Sequence, residues 1–154
     1  MLCFKYSTVG SEEREITVSS AEAILRAMQE RPTWDGVTIS PNEELGLDGA
    51  GQFPLLNLSW YPDHGYEIQC FESAQRPDSD FLATSDALSP PEVYVELGGQ
   101  GQELWPRELF VPFESALRAT KYLLTDGRED PGLAWILISE FPRQPVSRRR
   151  GKTP

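Results

Sequence analysis

Two hydrophobic periods follow one another along the chain, and each predicts a different element. Residues 2–8 alternate loosely and are rich in aromatic and β-branched side chains, which predicts a strand ended by Gly10 and the Ser11, Glu12, Glu13 cluster. Residues 14–18 fit a second short strand. Ser19 stands three residues before Glu22, the spacing of a capping box, and Ala21, Ile24, Leu25 and Met28 then recur at helical spacing. A helix starts there, and Pro32 sets its latest end. Asp35 and Gly36 make a turn before a strand at residues 37–40, and the glycine-rich residues 45–51 read as a loop.

The period of two returns in residues 53–60 and 66–71, which flank Tyr61, Pro62, Asp63, His64 and Gly65 and predict a β-hairpin with a five-residue connection. A long polar segment covers residues 72–91, with a short apolar interruption at residues 81–83, and residues 93–97 fit another strand. The clearest helix is late. Phe113, Ala116, Leu117, Thr120, Leu123 and Leu124 share one face, Pro112 suits the first turn, and Gly127 suits the stop. On its outer face Glu114 and Arg118 lie four apart, the spacing of a favourable pair. Asp130 and Pro131 break the chain before residues 133–138, an apolar run expected to return as a buried strand. Strands outnumber helices and the two helices are far apart, so the expected fold is α+β, a mostly antiparallel sheet covered by both helices. Residues 1–142 read as a single domain, and residues 143–154, proline, basic and polar, as a disordered basic tail.

Charge changes this picture. The formal net charge is −10, yet Arg143, Arg148, Arg149, Arg150 and Lys152 all follow the last acid, Glu140. Residues 1–142 therefore hold 9 basic against 24 acidic residues, a net −15. A field of that sign disfavours direct contact with nucleic acid and steers basic proteins toward the surface. No apolar run has the roughly 20 residues of a membrane span, and the first residues lack a basic segment followed by an apolar one, so the expected location is the cytoplasm. Cys3 and Cys70 have neither paired nor metal-binding spacing and read as reduced, buried small hydrophobes.

Little in the chain points to catalysis. His64 is the one histidine, and it falls at the expected hairpin tip, where a ring is normally solvated. Triad chemistry would have to use it, and no nucleophile motif stands beside it. One His and two distant Cys do not make a zinc site, and the zinc deaminase signature is absent. The glycine groups Gly46, Gly49, Gly51 and Gly98, Gly99, Gly101 lack the lysine and hydroxyl of a phosphate loop and read as hairpin turns. No catalytic residue, metal or cofactor is expected. Trp34, Trp60, Trp105 and Trp135 read first as core, although Trp105, before Pro106 and after a glycine-rich loop, is the best candidate for an exposed binding anchor.

The early helix ending at Arg31 and Pro32, the hairpin starting near Pro54, Leu55 and Leu56, and the late helix running on through Gly127, Pro131 and Trp135 form a recognisable order. It resembles the first-numbered immunity-protein family of bacterial polymorphic toxin systems, which includes the antidote to a double-stranded DNA cytosine deaminase toxin. The likeness spans about residues 16–136 and is closest over residues 111–135. Arg128, Glu129 and Asp130 between Gly127 and Pro131, and the basic tail, depart from the family pattern. The resemblance implies a non-catalytic inhibitor of a toxin acting on nucleic acid, a deaminase or nuclease, with a basic surface that an acidic body can occlude. The expected contact surface is Asp78, Asp80, Asp86, Glu92 and Glu96, joined by Glu43, Glu44 and Asp48, with Trp105 as anchor. A non-catalytic scaffold module of another bacterial system fits the same features, and a carboxylate-based hydrolase requires two convergent acids, one with a raised pKa.

Overall fold

Alternation in the middle of the chain builds the centre of the molecule. In the computed structural model, which describes residues 4–8, 14–16, 20–30, 37–41, 54–72, 79–96, 102–140 and 144–145, strands β4 (Leu55–Tyr61) and β5 (Gly65–Phe71) form the expected hairpin. Tyr61 and Gly65 pair with each other, which shortens the connection from the expected five residues to Pro62, Asp63 and His64. The other strands are β1 (Phe4–Thr8), β2 (Arg14–Ile16), β3 (Val37–Pro41), β6 (Asp80–Ala83), β7 (Val93–Glu96), β8 (Gln102–Trp105), β9 (Ala134–Leu137) and β10 (Gln144–Pro145). The helices are α1 (Ser20–Glu30) and α2 (Phe113–Asp126), and 3-10 turns occupy Arg107–Leu109 and Ile138–Glu140. Seven strands make one sheet in the order β2-β1-β3-β4-β5-β6-β9, and three make a second in the order β10-β8-β7. Every pairing is antiparallel, so the fold is α+β.

Because side chains alternate across a strand, the large sheet offers two faces to cover. Leu56 and Leu58 of β4, Tyr66, Ile68 and Cys70 of β5, and Leu82 of β6 pack against Ala21, Ile24, Leu25 and Met28 of α1 and Ala116, Ala119, Leu123 and Leu124 of α2. Both helices thus lie on one face. On the other, Phe81, Ala83, Tyr61, Ala134 and Ile136 meet Val93, Val95 and Trp105 of the small sheet, with Leu109 and Phe110 from the chain that follows it. Tyr66 ties the first layer together. Fully buried, it donates its hydroxyl proton to the Leu25 carbonyl at 2.7 Å, and its ring lies 4.6 Å from that of Trp60. Burial pushes its phenol up to about 12, so it stays a donor.

Four further expectations change. Residues 81–83 are not an interruption in a loop: Asp80–Ala83 is a strand buried along its length, between β5 and β9. Four residues between polar stretches carry too little period to announce a strand; the partners on each side supply the hydrogen bonds. The apolar run after Pro131 does form β9, but it is half-buried, because it is the last strand of the sheet and one side has no neighbour among the described residues. Gln144–Pro145 pairs with β8, so the folded body reaches past the expected boundary at residue 142. Residues 146–154 of the expected tail lie outside the described residues, as do Cys3 and the Ser19 cap.

The fourth concerns Arg118. It turns away from Glu114 and donates through Nε to Oδ2 of Asp130 at 2.6 Å and through Nη2 to Oδ1 at 3.4 Å. Asp130 is 5% exposed, so its carboxylate requires donors, and the Gly132 amide supplies another at 2.8 Å. The Asp130 carbonyl accepts from the Trp135 indole at 3.0 Å. This latch sets the start of β9. Upstream, Gly127 ends α2 in the left-handed conformation, at φ 75°, with its amide on the Leu123 carbonyl. Gly65 is required for another reason: its φ is +119°, and a Cβ there would stand 2.8 Å from the Val111 carbonyl oxygen. That carbonyl accepts the Tyr66 amide at 2.9 Å, so residue 111 takes up β5 hydrogen bonding at Tyr66.

The Arg118 guanidinium holds the Asp130 carboxyl below its ordinary range. A lowered folded-state pKa contributes stability above the unfolded value, about 4, which is lost as pH falls through the folded value. Arg118→Ala is expected to lower the urea midpoint at pH 7. The gap from the parent protein should close below about pH 4; a gap independent of pH would refute the latch.

Candidate interaction surface

The expected contact residues do not form one patch. Glu43, Glu44, Asp48 and Asp78 lie outside the described residues. Asp80 is 2% exposed on β6 and cannot be a surface contact. Trp105 is corrected in the same way. Val93 and Val95 lie opposite Trp105 and Glu103 and share the inner face of the small sheet, so Trp105 enters the core at 5% exposure, edge-on to Phe81 at 5.3 Å. Its indole donates to Glu103 at 2.8 Å, which satisfies the ring's polar atom without solvent. Asp86 and Glu92 are exposed, and Glu96 closes β7 opposite Gln102.

The segment around Asp86 is held, not loose. The Thr84 amide donates to the Glu108 carbonyl at 2.8 Å, and the Glu108 carboxylate accepts from the Ser89 amide at 3.1 Å and hydroxyl at 2.5 Å. Those hydrogen bonds from Ser89 keep the Glu108 carboxyl below its ordinary range. The chain between β6 and β7 is thereby fastened to the turn at Arg107–Leu109, and β7 follows from a fixed start.

With Val93 and Val95 facing in, strand alternation turns Tyr94 out. It is 54% exposed, the exposed large hydrophobic residue among those described. Its cross-strand neighbour, half-buried Leu104, lies between it and Gln144. Glu92, two residues before Tyr94, accepts from Arg107 at 3.0 Å in a pair exposed on both sides. Sequence reasoning chose the carboxylates of this strand and missed its tyrosine. The signal was present in the order Glu92, Val93, Tyr94, Val95, Glu96, which places an aromatic between two acids once the valines are assigned to the core.

Two buried groups bear on chemistry. Glu67, opposite Ser59 on the face toward the small sheet, is 7% exposed, and burial pushes its carboxyl up to about 8. Desolvation alone accounts for this, with no second acid contributing, whereas a carboxylate pair raises one member through the charge of the other. Cys70 is free and buried; its burial, together with Glu129, Glu72 and Asp80, pushes the thiol up and leaves it protonated and unreactive at neutral pH. His64 is exposed at the hairpin tip, its ring 5.5 Å from Phe110. Among the described residues no group of three or more His, Cys, Asp or Glu is placed to hold a metal ion. No described helix is long and apolar enough to cross a membrane.

Architecture and surface thus define an antiparallel α+β domain with an exposed aromatic on an outer strand. The chain matches no protein-family model, no curated protein and no solved structure.

Trp105→Ala is expected to cost about 3–5 kcal/mol of stability, seen as a lower urea midpoint, whereas a surface anchor would leave the midpoint in place. Glu67 has the opposite pH signature to Asp130. With its folded pKa raised, the unfolded chain gives up this proton first, so stability falls as pH rises from about 4 toward about 8. Glu67→Gln is therefore expected to match the parent near pH 4 and to exceed it at pH 7 by roughly 3 kcal/mol. Equal midpoints at both pH values would show that Glu67 ionises freely.

Proposed function

We propose that this protein is an immunity protein, a cytoplasmic, stoichiometric inhibitor of a bacterial toxin domain that acts on nucleic acid as a deaminase or nuclease. The observation that carries the reading is the charge, net −15 over residues 1–142. An enzyme that handles nucleic acid presents a basic groove to phosphate, and an acidic body competes for that groove while its field accelerates encounter. Exposed Tyr94, two residues after exposed Glu92, supports the same reading, since stable complexes concentrate their energy in a few aromatic or arginine anchors inside a charged rim. So does the order of late helix, Gly127, Pro131 and Trp135, by which the sequence resembles an immunity family. Inhibition of this kind acts by occlusion and uses no cofactor.

The test is co-expression with the toxin domain encoded beside its gene. Cells are expected to survive only when this protein is present, and the two purified chains to elute as a one-to-one complex. Association should slow by an order of magnitude or more between low and high salt, and Asp86→Lys should slow it further at low salt. Cell death with no complex formed would overturn the reading.

A further inference from the structure

The two sheets end in four strands with one neighbour each among the described residues: β2 and β9 in the large sheet, β10 and β7 in the small one. A strand edge offers unpaired amides and carbonyls, and proteins commonly blunt it. β2 is three residues long. β10 is two residues long and ends in Pro145, which has no amide to donate. β9 is wholly apolar, Ala134, Trp135, Ile136 and Leu137, with side chains used in both core layers, so it has nothing with which to select a charged partner. β7 differs from all three. It carries neither proline nor lysine, its inner residues Val93 and Val95 are fixed in the core, and exposed Glu92 and Tyr94 alternate with them on the outer side.

We propose that β7 accepts a basic extended segment of the partner protein as a fourth strand of the small sheet. This deepens the function proposed above by naming the surface and the chemistry it reads. Main-chain hydrogen bonds along the open edge supply affinity that is blind to sequence, and alternate side chains supply the selection. A lysine or arginine at alternate positions of the incoming strand lies beside Glu92 and Tyr94 in turn, as an ion pair at the acid and over the ring at the tyrosine. A second copy of this chain is a poor occupant, since each copy carries a net −10. Arg107 already meets Glu92, but through Oε2 alone and in an exposed, solvent-screened pair, so it weakens the site without closing it. The start of the strand is preset by the Glu108 hydrogen bonds to Ser89, which lowers the ordering cost of docking.

The intact protein is tested with three blocked peptides: one alternating lysine or arginine with valine, one with glutamate at the basic positions, and one with proline at the centre of the basic sequence. Titration followed by amide exchange is expected to show binding of the first peptide only, with slowed exchange at residues 93–96. Tyr94→Ala should weaken it about tenfold or more and Glu92→Gln by less, with thermal midpoints unchanged because these changes leave the core intact. Arg107→Ala should tighten it. No binding of the basic peptide, equal binding of the proline peptide, or binding without protection at residues 93–96 would each overturn strand addition. The peptide result decides this edge, and survival of co-expressing cells decides the immunity reading, so either can fail alone.

Discussion

Strand β6 is buried on both faces, and the architecture follows from covering it. Leu82 belongs to the layer under the helices, while Phe81 and Ala83 belong to the layer under the small sheet. A strand in that position has no face to give to water, so a helical layer on one side must be matched by a second layer on the other. Burial of a side chain the size of Phe81 is worth roughly 2–3 kcal/mol, and both layers contribute on that scale at several positions. The small sheet therefore belongs to the core of the domain, and its inner face is the second wall of the hydrophobic interior.

The outer face follows from the inner one. Once Val93, Val95 and Trp105 are committed to the core, alternation leaves Tyr94 and Leu104 on the outside. The same packing holds the strand in place, because Leu109 and Phe110 of the core belong to the turn whose Glu108 fastens Ser89. A strand backed by a packed core keeps its geometry when its exposed residues change. Surface chemistry can then diverge while the interior remains.

The acids divide into two populations with opposite roles. Asp80, Asp130 and Glu67 are buried, Asp130 as an ionised latch with three hydrogen bonds from protein donors and Glu67 as a carboxyl that burial keeps neutral. Asp86 and Glu92 face solvent and contribute to the external field. A count of carboxylates overstates the surface available to a basic partner, because some of the strongest local interactions among them point inward. Arg118 illustrates the competition, since a buried carboxylate draws it away from an exposed one four residues earlier.

The amino-acid sequence by itself determined the elements whose signal is local. The apolar stripes of α1 and α2, the left-handed stop at Gly127, the alternation of β4 and β5 and the antiparallel α+β class all depend on residues within a few positions of one another. Tertiary structure alone decided β6, β8 and β10, each four residues or fewer, whose hydrogen bonds come from strands elsewhere in the chain. It also decided that Trp105 faces inward and Tyr94 outward, and that Asp80 is buried. These are questions of which face of a strand is covered. A period of two fixes that side chains alternate; only the layer that packs against the strand decides which set is inside.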